Sequence, residues 1–191
     1  MYDFGIFGDF EVNLKKFGFK GGIFLKNPEK SIIPGYFLKS DNRAEIKKFS
    51  KKDGFLLLEC VDYKTRRFAA EKGYVDGMIN PELYGKKNSV KYPDSGMDDK
   101  LMKFMAENKV AYVINLRNII EKDYLREIMF NVFLAKKFKT PIIMVSGAKR
   151  MEHIKHASGM VSMGVVLGMN KKEAKQSLFY VQNSIIKRFK K

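Results

Sequence analysis

Short apolar runs alternate with amphipathic stretches along most of the chain. The runs are "YDFGIF" (2–7), "GGIFLKN" (21–27), "PGYFLK" (34–39), "FLLLECV" (55–61), "VDGMIN" (75–80), "VAYVINL" (110–116) and "PIIMVS" (141–146). Their length and their Gly, Pro, Asn and Asp borders predict strands. Between them, apolar residues recur at three- and four-residue spacing, which predicts helices. The clearest helical stretch is 121–138, where Leu125, Ile128, Met129, Val132 and Ala135 form one stripe. A second, 98–108, opens on Asp98 as N-cap and carries Leu101, Phe104 and Met105 on one side. A third, 63–72, stops at Gly73. Past residue 157 the strand pattern ends: 158–168 reads as a glycine-faced helix, and Asn170 with Glu173 caps a last one. In that last helix Ala174, Leu178, Val181, Ile185 and Phe189 make the apolar stripe, with Lys187 and Arg188 off it.

Strands joined by helical crossovers pair in parallel. About seven parallel strands in 191 residues predict an α/β fold, a TIM-like (β/α) barrel with extra C-terminal helices, as one domain over 1–191. An open doubly wound sheet is the alternative, and no Gly-rich nucleotide fingerprint follows the first strand to favour it. In a barrel the stretch "AYVINLRNII" (111–120), read as strand at its start, turns Ala111 and Val113 inward, with Asn115 and Arg117 at the carboxyl-end mouth. Asp3, Glu59, Asn80 and Ser146 hold comparable places on other strands. These groups either satisfy one another, with Arg117 plugging the barrel against an acid, or they face a ligand.

Charge changes this picture most. Lys and Arg number 37 against 21 Asp and Glu, a net +16, which calls for a polyanionic partner to offset self-repulsion. No apolar run approaches the roughly 18–20 residues of a membrane span, and "MYDFGIFGDF" lacks a basic signal-peptide start. A soluble, cytoplasmic protein without membrane partners is expected. The single cysteine, Cys60, excludes an internal disulfide and reads as a small core residue.

Hydrolytic chemistry at such a mouth needs metal ligands or a matched acid and base. The two histidines, His153 and His156, are spaced for adjacent turns of one helix, and Lys149, Arg150 and Lys155 around them oppose a cation. No catalytic residue and no bound metal are therefore expected. The mouth loops carry cations instead. "PELYGKKNSVKYPDSGM" (81–97) mixes Lys86, Lys87 and Lys91 with Tyr84 and Tyr92, a composition suited to phosphate contact and base stacking. Lys149 and Arg150 follow the seventh strand, Arg66 and Arg67 the fourth, and Arg117 the sixth.

Three stretches, "ECVDYKTRRFAAEKGYVDGMINP" (59–81), "SGMDDKLMKFMAENKVAYVINLRNII" (95–120) and "MVSMGVVLGMNKKEAKQSL" (160–178), resemble the protein component 3 family of archaeal ribonuclease P. The resemblance runs from about residue 34 to the end of the chain. It implies a distorted barrel related to PHP phosphoesterases but without their metal-binding histidines. It also implies a ribonucleoprotein that removes 5′ leaders from precursor tRNA, with catalysis on magnesium held by the RNA. Its implied partners are ribonuclease P RNA and a small RRM-like protein subunit, in a heterodimer or a dimer of heterodimers; precursor tRNA is met indirectly. Arg67 and Arg117 match basic positions of the family motifs. Lys86, Lys87, Lys91, Lys149, Arg150, Lys187 and Arg188 are expected RNA contacts on charge alone. A metal-dependent phosphoesterase and a protein-binding scaffold remain as rival readings.

Overall fold

Each of the seven apolar runs holds a strand in the computed structural model, which describes residues 1–85 and 93–179. The strands are β1 (Asp3–Ile6), β2 (Gly22–Phe24), β3 (Gly35–Lys39), β4 (Phe55–Glu59), β5 (Gly77–Ile79), β6 (Ala111–Asn115) and β7 (Ile142–Val145). Every pairing is parallel. β1 pairs with β2, and β3 to β7 form a five-stranded sheet in sequence order. The helices are α1 (Arg43–Phe49), α2 (Tyr63–Lys72), α3 (Asp99–Glu107), α4 (Leu116–Lys122), α5 (Leu125–Phe138), α6 (Ala157–Val166) and α7 (Lys171–Ser177).

The two sheets meet along β1 and β7. Gly147 N–H donates to Gly5 O at 3.1 Å, and Phe7 and Gly8 N–H both donate to Ala148 O, at 2.7 and 3.0 Å. Gly5 is required there, because a Cβ would lie 2.6 Å from Val145 Cβ. Side chains then sort into two cores. Phe4, Ile23, Phe55, Leu57, Ile79, Ala111, Val113, Ile143 and Val145 fill an inner cluster, with Phe37 against its edge. The alternate residues, among them Leu38, Leu56, Leu58, Met78, Tyr112, Ile114 and Met144, face the helices in an outer cluster. Strand period two divides the residues between a filled interior and a helical layer. The arrangement is consistent with a TIM-like barrel, distorted where β2 meets β3 without a hydrogen-bonded ladder.

Local signals set several boundaries. Asp98 caps α3 through Leu101 N–H at 2.8 Å, and Gly73 ends α2 at φ 62°. Asn170 and Glu173 form the expected capping box, at 2.9 and 2.7 Å. Two expectations change. The stretch 121–138 is not one helix: Asp123, left-handed at φ 53°, separates α4 from α5. Nor does the sixth strand reach Arg117, because Asn115 accepts from Arg117 N–H at 3.2 Å and starts α4 at Leu116. The stripe residues Val181, Ile185 and Phe189 lie outside the described residues.

Cys60 is buried, its thiol donating to Asp41 Oδ1 at 2.8 Å. Burial, then Asp41, push that thiol well above its usual range. A protonated, enclosed thiol is a core group.

Candidate nucleic-acid interface

The carboxyl ends of the strands surround a cavity of about 300 Å³. Lys39 ends β3, Glu59 ends β4, Asn80 follows β5 and Asn115 ends β6. Gly147 and Lys149 follow β7, while Arg117, Asn118 and Lys122 come from α4. Phe7 and Phe37 supply an aromatic arc, edge to face at 5.0 Å between centroids.

A polar floor lies under this cavity. Asn80 Oδ1 accepts from Asn115 Nδ2 at 3.0 Å and from Asn118 Nδ2 at 2.9 Å, while Asn80 Nδ2 donates to Glu59 Oε2. Asn80 reaches all three from a left-handed backbone, φ 61°, which asparagine tolerates better than most residues. Glu59 Oε1 also accepts from Tyr84 OH at 2.5 Å and pairs with Lys39 Nζ at 2.8 Å. Burial alone would raise the Glu59 carboxyl; the donors Lys39, Tyr84 and Asn80 outweigh it and hold the group below the usual range. Behind the floor, Asn118 Nδ2 donates to Glu82 Oε1 at 2.7 Å. Burial pushes the Glu82 carboxyl up to about 7.

Four cations and one acid are among the described residues lining the mouth. Glu59 occupies Lys39. Arg117 Nε lies 2.7 Å from Glu121, one turn along α4, with both side chains partly exposed. Arg117 is thus neither a buried plug nor a bare charge: its acid partner sits at the rim. Lys122 and Lys149 have no ion pair among the described residues, and both are exposed.

Of the expected mouth residues, Glu59, Asn80, Asn115, Arg117 and Lys149 converge. Asp3 and Ser146 do not line the cavity. Asp3 is fully buried, its Oδ1 accepting from Ser146 N–H at 3.1 Å and Gly5 N–H at 3.2 Å, so it fastens β1 to β7. Burial pushes the Asp3 carboxyl up. Arg66 is buried and donates to Gly96 O at 2.6 Å, pinning the segment before α3. Arg67 is also away from the mouth, on α2 with its guanidinium 5.3 Å from the Phe104 ring. Arg150 is exposed beside the mouth, its Nε 4.0 Å from Glu152. His153 ends a 3₁₀ turn and His156 precedes α6, so they do not share one helix. Lys86, Lys87, Lys91, Tyr92, Lys187 and Arg188 lie outside the described residues. Among the described residues no group of three or more His, Cys, Asp and Glu is placed to hold a metal ion, and no helix is long and apolar enough to cross a membrane.

The sequence reading missed Lys39, Lys122, Asn118 and the two phenylalanines. Lys39 had a signal, because it is the register partner of Glu59 at the end of the neighbouring strand. Lys122 and Asn118 had none while the chain from 110 to 117 read as strand.

The family described as RNase P subunit p30 matches residues 39–191. The chain belongs to this family. Among curated relatives, it is 30% identical over 153 residues to ribonuclease P protein component 3 of Methanococcus vannielii, covering 75% of this chain and 60% of that one. The Methanocaldococcus jannaschii protein of the same name is 33% identical over 120 residues, covering 60% of this chain and 49% of that one. The chain thus spans about half to three fifths of the length of these two relatives. A chain in a cryo-EM structure of archaeal ribonuclease P with mature tRNA has the same fold, at TM-score 0.69 and 22% identity, over 99% of this chain and 80% of its own. The family match includes Lys39, α4 and the loop after β7, and therefore all four of the described mouth cations; Phe7 and Phe37 lie outside it.

Proposed function

We propose that this chain is an RNA-binding protein subunit of ribonuclease P, supporting removal of 5′ leaders from precursor tRNA in the cytoplasm. Membership of the RNase P subunit p30 family carries the reading. In it, bond breaking occurs on magnesium held by the RNA, and this chain is not catalytic alone. Its barrel, of PHP phosphoesterase descent, lends cations. Arg117, Lys122 and Lys149 at the mouth meet sugar–phosphate. Arg67, Arg150 and the basic residues at 86, 87, 91, 187 and 188 extend the contact surface. Folded RNA is recognised largely through backbone and shape, so cations without base-edge readers suffice. Neutralising phosphates lets RNA segments approach at lower magnesium. A small RRM-like protein subunit completes the assembly.

Reconstitution tests this. Ribonuclease P RNA with the RRM-like subunit should cleave precursor tRNA better, and at lower magnesium, when this chain is added. Cleavage by the chain alone, or no gain on adding it, would contradict the proposal.

A further inference from the structure

We infer that the barrel mouth is a binding pocket for one nucleotide unit, a flat base carrying a phosphate. The RNA origin of that unit rests on the reading above; the pocket itself rests on its lining. A volume of about 300 Å³ is at the small end of ligand pockets, too narrow for a helix and suited to a single residue of a strand.

The lining has two chemistries. Phe7 and Phe37 form an aromatic arc from the β1 and β3 ends, where a base can stack. Lys122 and Lys149 form no close ion pair among the described residues, although Glu121 lies within electrostatic reach of Lys149, and Arg117 stands beside them. The floor suits an anion despite its carboxylate. Glu59 is already answered by Lys39, Tyr84 and Asn80, so its charge is spent within the floor. A primary amide has two N–H donors. Asn80 Nδ2 uses one on Glu59, and Asn115 Nδ2 uses one on Asn80. Each therefore has a second N–H without a described acceptor, on a residue that lines the cavity. Gly147, at φ 69°, leaves room beside Asn115, since a Cβ there would collide with the Asn115 amide oxygen. Donors below, ammonium groups at the side and rings along one arc match a nucleoside monophosphate better than bare phosphate.

Titration of the full chain with adenosine 5′-monophosphate and, separately, inorganic phosphate tests this, read by amide NMR shifts and calorimetry. One AMP per chain should bind, with shifts at Asn80, Asn115 and Gly147, and about tenfold more tightly than phosphate. Lys122→Glu with Lys149→Glu should weaken AMP at least about tenfold; both positions are exposed, so an unchanged melting temperature verifies the fold. Phe37→Leu should weaken AMP while sparing phosphate. Absence of AMP binding, shifts elsewhere, or binding indifferent to the double reversal would overturn the pocket. Competition identifies the source: RNA that displaces AMP supplies an extruded nucleotide, whereas RNA that leaves AMP bound marks a free nucleotide as ligand. RNA-dependent cleavage supported by a chain that ignores AMP would sink the pocket and spare the subunit reading. AMP binding by a chain that gives RNA no help would do the reverse.

Discussion

At position 117 the guanidinium stands one turn before Glu121 on α4, and both side chains reach water. Exposed helical pairs of this spacing contribute only about 0.3–0.5 kcal/mol. Arg117→Ala should therefore leave the melting temperature nearly unchanged while weakening RNA association. A loss of about 3–5 kcal/mol would instead mean that the residue plugs the fold against a buried acid. The two carboxyls near the floor pull in opposite directions with pH. Glu59 is held below its usual range by its donors, so its contribution is present at neutral pH and is lost as pH falls through its folded value. Glu82 is raised by burial from 4.5 to about 7, so its contribution is full below 4.5 and is lost as pH rises through about 7. Chemical denaturation should show Glu82→Gln gaining about 1–3 kcal/mol over the parent at about pH 8, and no comparable gain at about pH 5. An equal effect at both values would mean that the carboxyl is ionised throughout.

Among the elements, the seam between β1 and β7 makes the barrel. Gly5→Ala places a methyl group against Val145 and should cost about 1–3 kcal/mol, as overpacking does, with faster amide exchange at Gly147. No loss would show that β1 is not seated there. The strands were legible because a short apolar run flanked by turn residues has few other solutions, and each of the seven expected runs contains one. Capped helices were legible for a similar reason: Asp98, Gly73 and the Asn170–Glu173 box are local chemistry. The break at Asp123 was not, since "IIEKDYLREI" (119–128) holds neither Gly nor Pro, and an aspartate in the left-handed region leaves no periodic trace. The same gap hid the site. Reading Asn115 to Arg117 as strand put Arg117 at the mouth on a strand end, whereas the N-cap at Asn115 puts it there on a helix and brings Asn118 and Lys122 to the mouth with it. Asp3 misled for another reason. A polar residue on an apolar strand signals a buried partner as readily as a ligand, and only the closing of β1 on β7 shows that its partner is the Ser146 backbone.

The whole molecule carries +16, and a charge of that size shapes how it associates. Half the described mouth cations have acids beside them, so the mouth is a mixed surface with a net positive balance; in the proposed function, RNA phosphate would displace counterions and Glu121 there. Such binding must weaken steeply with salt. The most direct measurement is the slope of log affinity against log salt for ribonuclease P RNA, taken for the parent chain and for Arg117→Ala, Lys122→Ala, Lys149→Ala combined. Each phosphate left without its cation should flatten the slope by about 0.7–0.9, so the combined variant should be flatter by about 2, with its melting temperature preserved. Parallel slopes for the two proteins would contradict the account, because the RNA would then be held by some other face of the barrel.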